Sequence, residues 1–205
     1  PQAAADLQAL LELDPRQTAA HRRLAELQAQ KGNNDAAILH YEQFLALGGT
    51  PAERQAVHVA VGRLLSVVDP ARALPHVLQA IELGHKYREL RGDEVDTAEE
   101  VSALSDLYRW QQKLQLSLGQ ADAAIATLRE LDKHIPRDEQ FFEERQRVAI
   151  EIANVLEGAR GDRTAAISSL EQLLIAEPLA LSALERLAAL VQAAGDTSRA
   201  QGLYR

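Results

Sequence analysis

One short pattern recurs five times along the 205 residues: a turn, then Ala-Ala or Arg-Ala followed by an apolar residue, then an apolar or aromatic residue four positions after the last alanine. Its copies are Asp35-Ala36-Ala37-Ile38 with Tyr41, Arg72-Ala73-Leu74 with Val77, Ala123-Ala124-Ile125 with Leu128, Ala165-Ala166-Ile167 with Leu170, and Arg199-Ala200 with Tyr204. The aligned alanines lie 36, 51, 42 and 34 residues apart. A four-residue step places both members of each pair on one helical face, and alanine there lets a second helix approach closely. Self-similarity at this period restricts the chain to repeat architectures, because one such unit cannot bury its own apolar face.

The first four copies run on to a helix stop: Leu47-Gly48-Gly49, Leu83-Gly84, His134-Ile135-Pro136 and Ala176-Glu177-Pro178. Glycine closes a helix in the left-handed conformation, and proline cannot continue one. A partial copy opens the chain, with Ala3, Leu7 and Leu10 ahead of Leu13-Asp14-Pro15. Upstream of the alanine copies lie further apolar-periodic stretches, clearest in Leu24 and Leu27 before Gly32 and in Leu184, Leu187, Leu190 and Val191 before Gly195. The unit is therefore a helical hairpin. Thr50-Pro51-Ala52-Glu53 and Thr97-Ala98-Glu99-Glu100 each read as a capping box at a helix start, and Asp69-Pro70 supplies another capping acceptor and first-turn proline.

These residues resemble the tetratricopeptide repeat, a helix–turn–helix unit of about 34 residues. The last copy keeps the family's spacing through Leu184, Leu187, Ala188, Val191, Gly195, Asp196, Ala200 and Tyr204, with Leu184 in place of the usual tryptophan and Ala188 in place of the usual glycine. The copy with His21, Leu24, Ala25, Gly32, Ala37, Tyr41 and Phe44 is close behind. The units containing Trp110 and Leu114, and Ile152 and Leu156, depart from it through an acidic insertion and the extra residues Gly158-Ala159-Arg160-Gly161, and read as long first helices. The resemblance implies an all-α, right-handed superhelical solenoid of antiparallel hairpins. First helices would line a concave groove and second helices the back. It predicts a single domain over residues 1–205, with about four full hairpins and partial units at both ends. Incomplete end units predict apolar edges, and hence either further repeats in a longer parent protein or self-association.

Composition agrees with a helical protein. Ala, Leu, Gln, Glu and Arg dominate, and aromatic residues make up only 4% of the chain. A net charge of -8 repels a phosphate backbone, so nucleic acid is not expected as a partner. There is no cysteine, which excludes disulfides, thiolate metal sites and cysteine nucleophiles. No run of about 18 apolar residues predicts a membrane span, and the compartment is not legible.

No nucleophile elbow, phosphate loop, dinucleotide fingerprint or zinc-protease motif is present, so the expectation is a protein that is not an enzyme and carries no cofactor and no metal. The six histidines read as dispersed repeat-surface residues, and Asp93-Glu94-Val95-Asp96 as a solvated loop leading into a cap. The resemblance instead implies binding of a partner protein or peptide in the concave groove. Helical spacing on the first helices offers Arg22 and Glu26, Arg63, then Asp106, Arg109 and Lys113, then Glu185 and Gln192. Arg22, Arg63, Arg109 and Lys113 could form a basic strip for carboxylates, set against the alternative of scattered solvated charges. The lysine, arginine and asparagine set with which one subgroup of the family holds chaperone C-termini is not found. A second reading is an accessory repeat region of a larger enzyme or envelope or secretion protein whose active or membrane domain lies elsewhere. Of Tyr108 and Trp110, one is expected in the core and the other free for a partner, because positions two apart face different directions on a helix.

Overall fold

A computed structural model describes residues 2–91 and 97–203. Tyr204 of the repeat pattern and the acidic stretch from Gly92 to Asp96 lie outside them. In chain order the helices are α1 (Gln2–Leu13), α2 (Thr18–Gln30), α3 (Asn34–Leu47), α4 (Pro51–Leu65), α5 (Pro70–Arg91), α6 (Ala98–Ser117), α7 (Ala121–His134), α8 (Phe142–Gly158, entered through a 3-10 turn), α9 (Arg163–Ala176), α10 (Leu181–Ala193) and α11 (Thr197–Gly202). No strand occurs among the described residues. Successive helices pair as hairpins: α2 with α3, α4 with α5, α6 with α7, α8 with α9, and α10 with α11.

Contacts divide the chain into two compact units, Pro1–Glu94 and Val95–Arg205. In the first, Leu24, Ala37, Phe44, Val57, Val61, Ala73 and Val77 form the core; in the second, Leu128, Leu131, Val148, Leu170, Leu187 and Leu190 do so. The recurring alanines are the tightest points of the hairpins. Ala37, Ala73, Ala124 and Ala166 are fully buried and Ala200 nearly so, with Tyr41, Val77, Leu128 and Leu170 buried one turn later. The sequence pattern is thus the seam along which each second helix meets its neighbours.

Both predicted capping boxes form: the Thr50 and Thr97 side chains accept from the Glu53 and Glu100 backbone N–H groups, and each glutamate reaches back to its threonine N–H. Asp69 accepts from the Arg72 N–H, as its place before Pro70 requires. The turn after α3 depends on glycine in the strict sense. Gly49 has a φ of 119°, and a Cβ there would sit 2.5 Å from the tip of the Phe44 ring. The long first helices expected for the irregular units are found in α6 and α8.

Gly84 departs from expectation. It does not end a helix, since α5 continues through it to Arg91. A Cβ at Gly84 would lie 2.9 Å from Nε2 of Gln55, whose side chain crosses from α4 to donate to the Ala80 carbonyl. Here glycine makes room for a neighbouring helix's side chain rather than terminating its own.

Candidate functional site

In each unit, arginines tie the first helices of successive hairpins to one another. In the first unit, Arg22 on α2 reaches Glu53 on α4 at 2.9 Å and its own neighbour Glu26 at 3.9 Å; Glu26 also meets Arg23 at 2.8 Å. Glu53 belongs to the capping box of α4, and the Thr50 backbone N–H and hydroxyl hold its carboxyl below the usual range, with Arg22 adding to the effect. In the second unit, Arg109 on α6 lies between two carboxylates of α8. Its Nε donates to Glu151 at 2.8 Å, and Nη1 sits 2.8 Å from Glu144 Oε1 in a contact off the line of a hydrogen bond. Burial opposes the Arg109 charge, but the two carboxylates outweigh it and raise its pKa. Arg186 on α10 completes the series, donating to Asn154 and Glu157 of α8 at 2.8 and 2.6 Å.

The eight residues selected from helical spacing therefore divide by role. Arg22, Glu26 and Arg109 are engaged within the protein: Arg22 meets Glu26 of its own helix and Glu53 of the next hairpin, and Arg109 meets Glu144 and Glu151 of the next hairpin. Arg63, Asp106, Lys113, Glu185 and Gln192 are exposed, and none makes an ion pair among the described residues. Beside Arg109, a cleft of about 340 Å³ between α6 and α8 is lined by Lys113, Leu116, Glu151, Asn154 and Val155. Arg22, Glu26 and Arg63 belong to the first unit and the others to the second. Tyr108 is buried in α6, while Trp110 is half-buried.

Four of the six histidines are brought together across helices. Their Nδ1 atoms meet in two equivalent pairs: His21 with His40 at 3.2 Å, between α2 and α3, and His58 with His76 at 3.1 Å, between α4 and α5. The Nε2 of His21 faces the Pro15 carbonyl at 3.1 Å, and a carbonyl can only accept, so that nitrogen carries the hydrogen. Neutral His21 then presents a bare Nδ1, which accepts from His40. Burial first, and His76 and Arg54 after it, lower the His58 pKa to about 4. Burial likewise lowers His40, with His21 contributing, and His76, where Glu42 opposes the shift and Arg72 adds to it.

Helix–turn–helix units with small residues at the seam, polar turns and paired first and second helices place the chain in the tetratricopeptide-repeat fold. No known family model and no curated protein sequence matches it. The likeness is to solved structures: BtubC from P. vanneervenii, with a TM-score of 0.55 at 15% identity over 98% of this chain and 84% of that one; MamA, 0.54 at 20% over 91% and 89%; and the nearly identical TPR-like repeats of a putative kinesin light chain from Podosopora anserina, 0.54 at 18% over 93% and 92%.

Proposed function

We propose that this protein is a non-enzymatic interaction module that holds an extended or helical segment of another protein against the faces of its first helices. The observation that carries the reading is the arrangement of those helices. Arginine–carboxylate bridges fix α6, α8 and α10 relative to one another, and Asp106, Lys113, Glu185 and Gln192 remain free to meet a ligand. A rigid scaffold presenting unpaired polar groups is what binding a segment without large reorganisation requires. In the first unit, Arg63 is exposed and makes no ion pair among the described residues, with Arg22 and Glu26 on the first helix of the preceding hairpin. Arg109 supports the surface and is not its point of contact.

The test is capture of partners by chemical cross-linking from the source organism with the wild-type chain and with Arg63→Glu/Lys113→Glu. Both changes are at exposed positions and leave the bridges intact. Loss of one specific, saturable partner in the variant, with helicity unchanged, is the expected outcome. Identical capture by both proteins would remove the first-helix face from consideration.

A further inference from the structure

The opposite layer of the second unit carries a different feature. Within each unit, the residue five after the recurring alanine of one second helix and the residue one before the alanine of the next lie across successive hairpins. Where these are Glu42 and Arg72, an ion pair forms at 3.5 Å; where they are Glu171 and Arg199, an ion pair forms again. Between α7 and α9 the same two positions are Arg129 and Ala165. The acid has become a base and the base has become a methyl group. Arg129 is exposed and makes no ion pair among the described residues, and a cleft of about 710 Å³ opens where the bridge would have been.

The cleft has α8 as its floor, through Ala149 and Ile152, and is flanked by Ser169 and Gln172 of α9. Its other charges are internally matched. Asp132 holds Arg137 at 2.9 Å, and Arg145 donates to Glu177 Oε1 at 2.5 Å. The second oxygen of Glu177, on the same wall, is buried without a donor. One unmatched guanidinium beside an apolar floor is complementary to a peptide that brings a carboxylate side chain and an apolar side chain.

We propose that this cleft between α7 and α9 is a second docking site, for an acidic peptide segment whose Glu or Asp takes the place of the carboxylate missing at position 129. It lies on the second-helix layer and is independent of the first-helix surface, so either reading can fail alone.

The test uses the whole chain and three fluorescein-labelled dodecapeptides: alternating Leu and Glu, alternating Leu and Gln, and alternating Ala and Glu. Anisotropy is measured against the wild type, Arg129→Gln, and Arg129→Glu/Ala165→Arg, which rebuilds the ion pair found between α3 and α5 and between α9 and α11 and closes the cleft. The Leu/Glu peptide is expected to saturate, to bind about tenfold more weakly once Arg129 is Gln, and to lose binding in the double variant while helicity is retained. The other two peptides are expected to bind more weakly, and amide shifts on titration to centre on α7 and α9 with Ala149 and Ile152 of α8. No saturation of the Leu/Glu peptide below about 1 mM, unchanged affinity in both variants, or shifts centred on α6 and α10 with none on α7 and α9 would overturn the proposal.

Discussion

Acidification should loosen the first unit through its histidine pairs, and the size of the effect follows from His58. This ring is 8% exposed, and its pKa falls from an ordinary 6.5 to about 4 in the folded chain. Between those values the unfolded chain binds the extra proton and the folded chain does not, so stability rises with pH. The contribution is fully present above about pH 6.5 and is lost as the pH falls through the folded value of about 4. Integrated from about pH 7 to about pH 5, His58 alone removes about 2 kcal/mol. His40 and His76, both lowered, act in the same direction. The geometry gives the reason. One added proton can be accommodated by reversing the Nδ1···Nδ1 hydrogen bond, but a second sets two N–H groups against each other at 3.1 Å. The charges facing the pair are Arg54 on α4 and Arg72 on α5, which oppose protonation, and Glu42 on α3, which favours it at His76. Stopping at about pH 5 stays above the ordinary value of 4.5 at which the unfolded chain takes up protons on Glu53, so most of the carboxylate contribution is kept out of the measurement. The assay is urea unfolding followed at the Val57 and Val61 amides by NMR, with Leu128 in α7 as an internal reference. His58→Gln/His76→Gln should reduce the pH-dependent loss by about 2 kcal/mol. A double variant that loses as much stability as the wild type over the same interval would refute the reasoning.

Arg145 is 5% exposed and donates to the Pro136 and Asp138 carbonyls as well as to Glu177, so Arg145→Met should cost about 3 kcal/mol and free the connection between α7 and α8, measured as thermal stability and as amide exchange at Asp138 and Phe141. Ala166→Leu at a fully buried hairpin seam should destabilise by about 1–3 kcal/mol in urea unfolding, whereas Ala126→Leu on the exposed side of α7 should change little. Thr50→Ala removes one half of the α4 capping box and should cost about 1 kcal/mol by thermal denaturation; Thr50→Ser should restore most of it.

The hairpins were legible in the sequence because their signals are local. Ala37 and Tyr41, or Ala166 and Leu170, are one turn apart, and Thr50 announces its helix through a glutamate three residues away. What could not be read depends on groups far apart in the chain. Gly84 has the sequence signature of a stop, and only the arrival of Gln55 from α4 explains a glycine inside α5. Spacing within one helix could not bring His40 to His21 or His76 to His58, partners 19 and 18 residues upstream on another helix. The choice of Arg22 and Arg109 as carboxylate binders anticipated the right chemistry. Their carboxylates belong to the protein itself, at Glu53 and at Glu144 and Glu151, and periodicity within a single helix carries no information about the next one. Arg129 escaped notice for the opposite reason: its meaning lies in a pairing that sister repeats make and this one does not.

The pairing of each helix with its immediate successor also bears on how the chain acquires its structure. The partners of α2, α4, α6 and α8 are the next helices out, joined by turns of a few residues. Closing such short loops costs little entropy, so no helix must wait for a distant segment, and each hairpin can form while later ones are still being synthesised. Assembly can begin at any hairpin and spread to its neighbours. A substitution at one seam should therefore delay its own hairpin without stalling those already made.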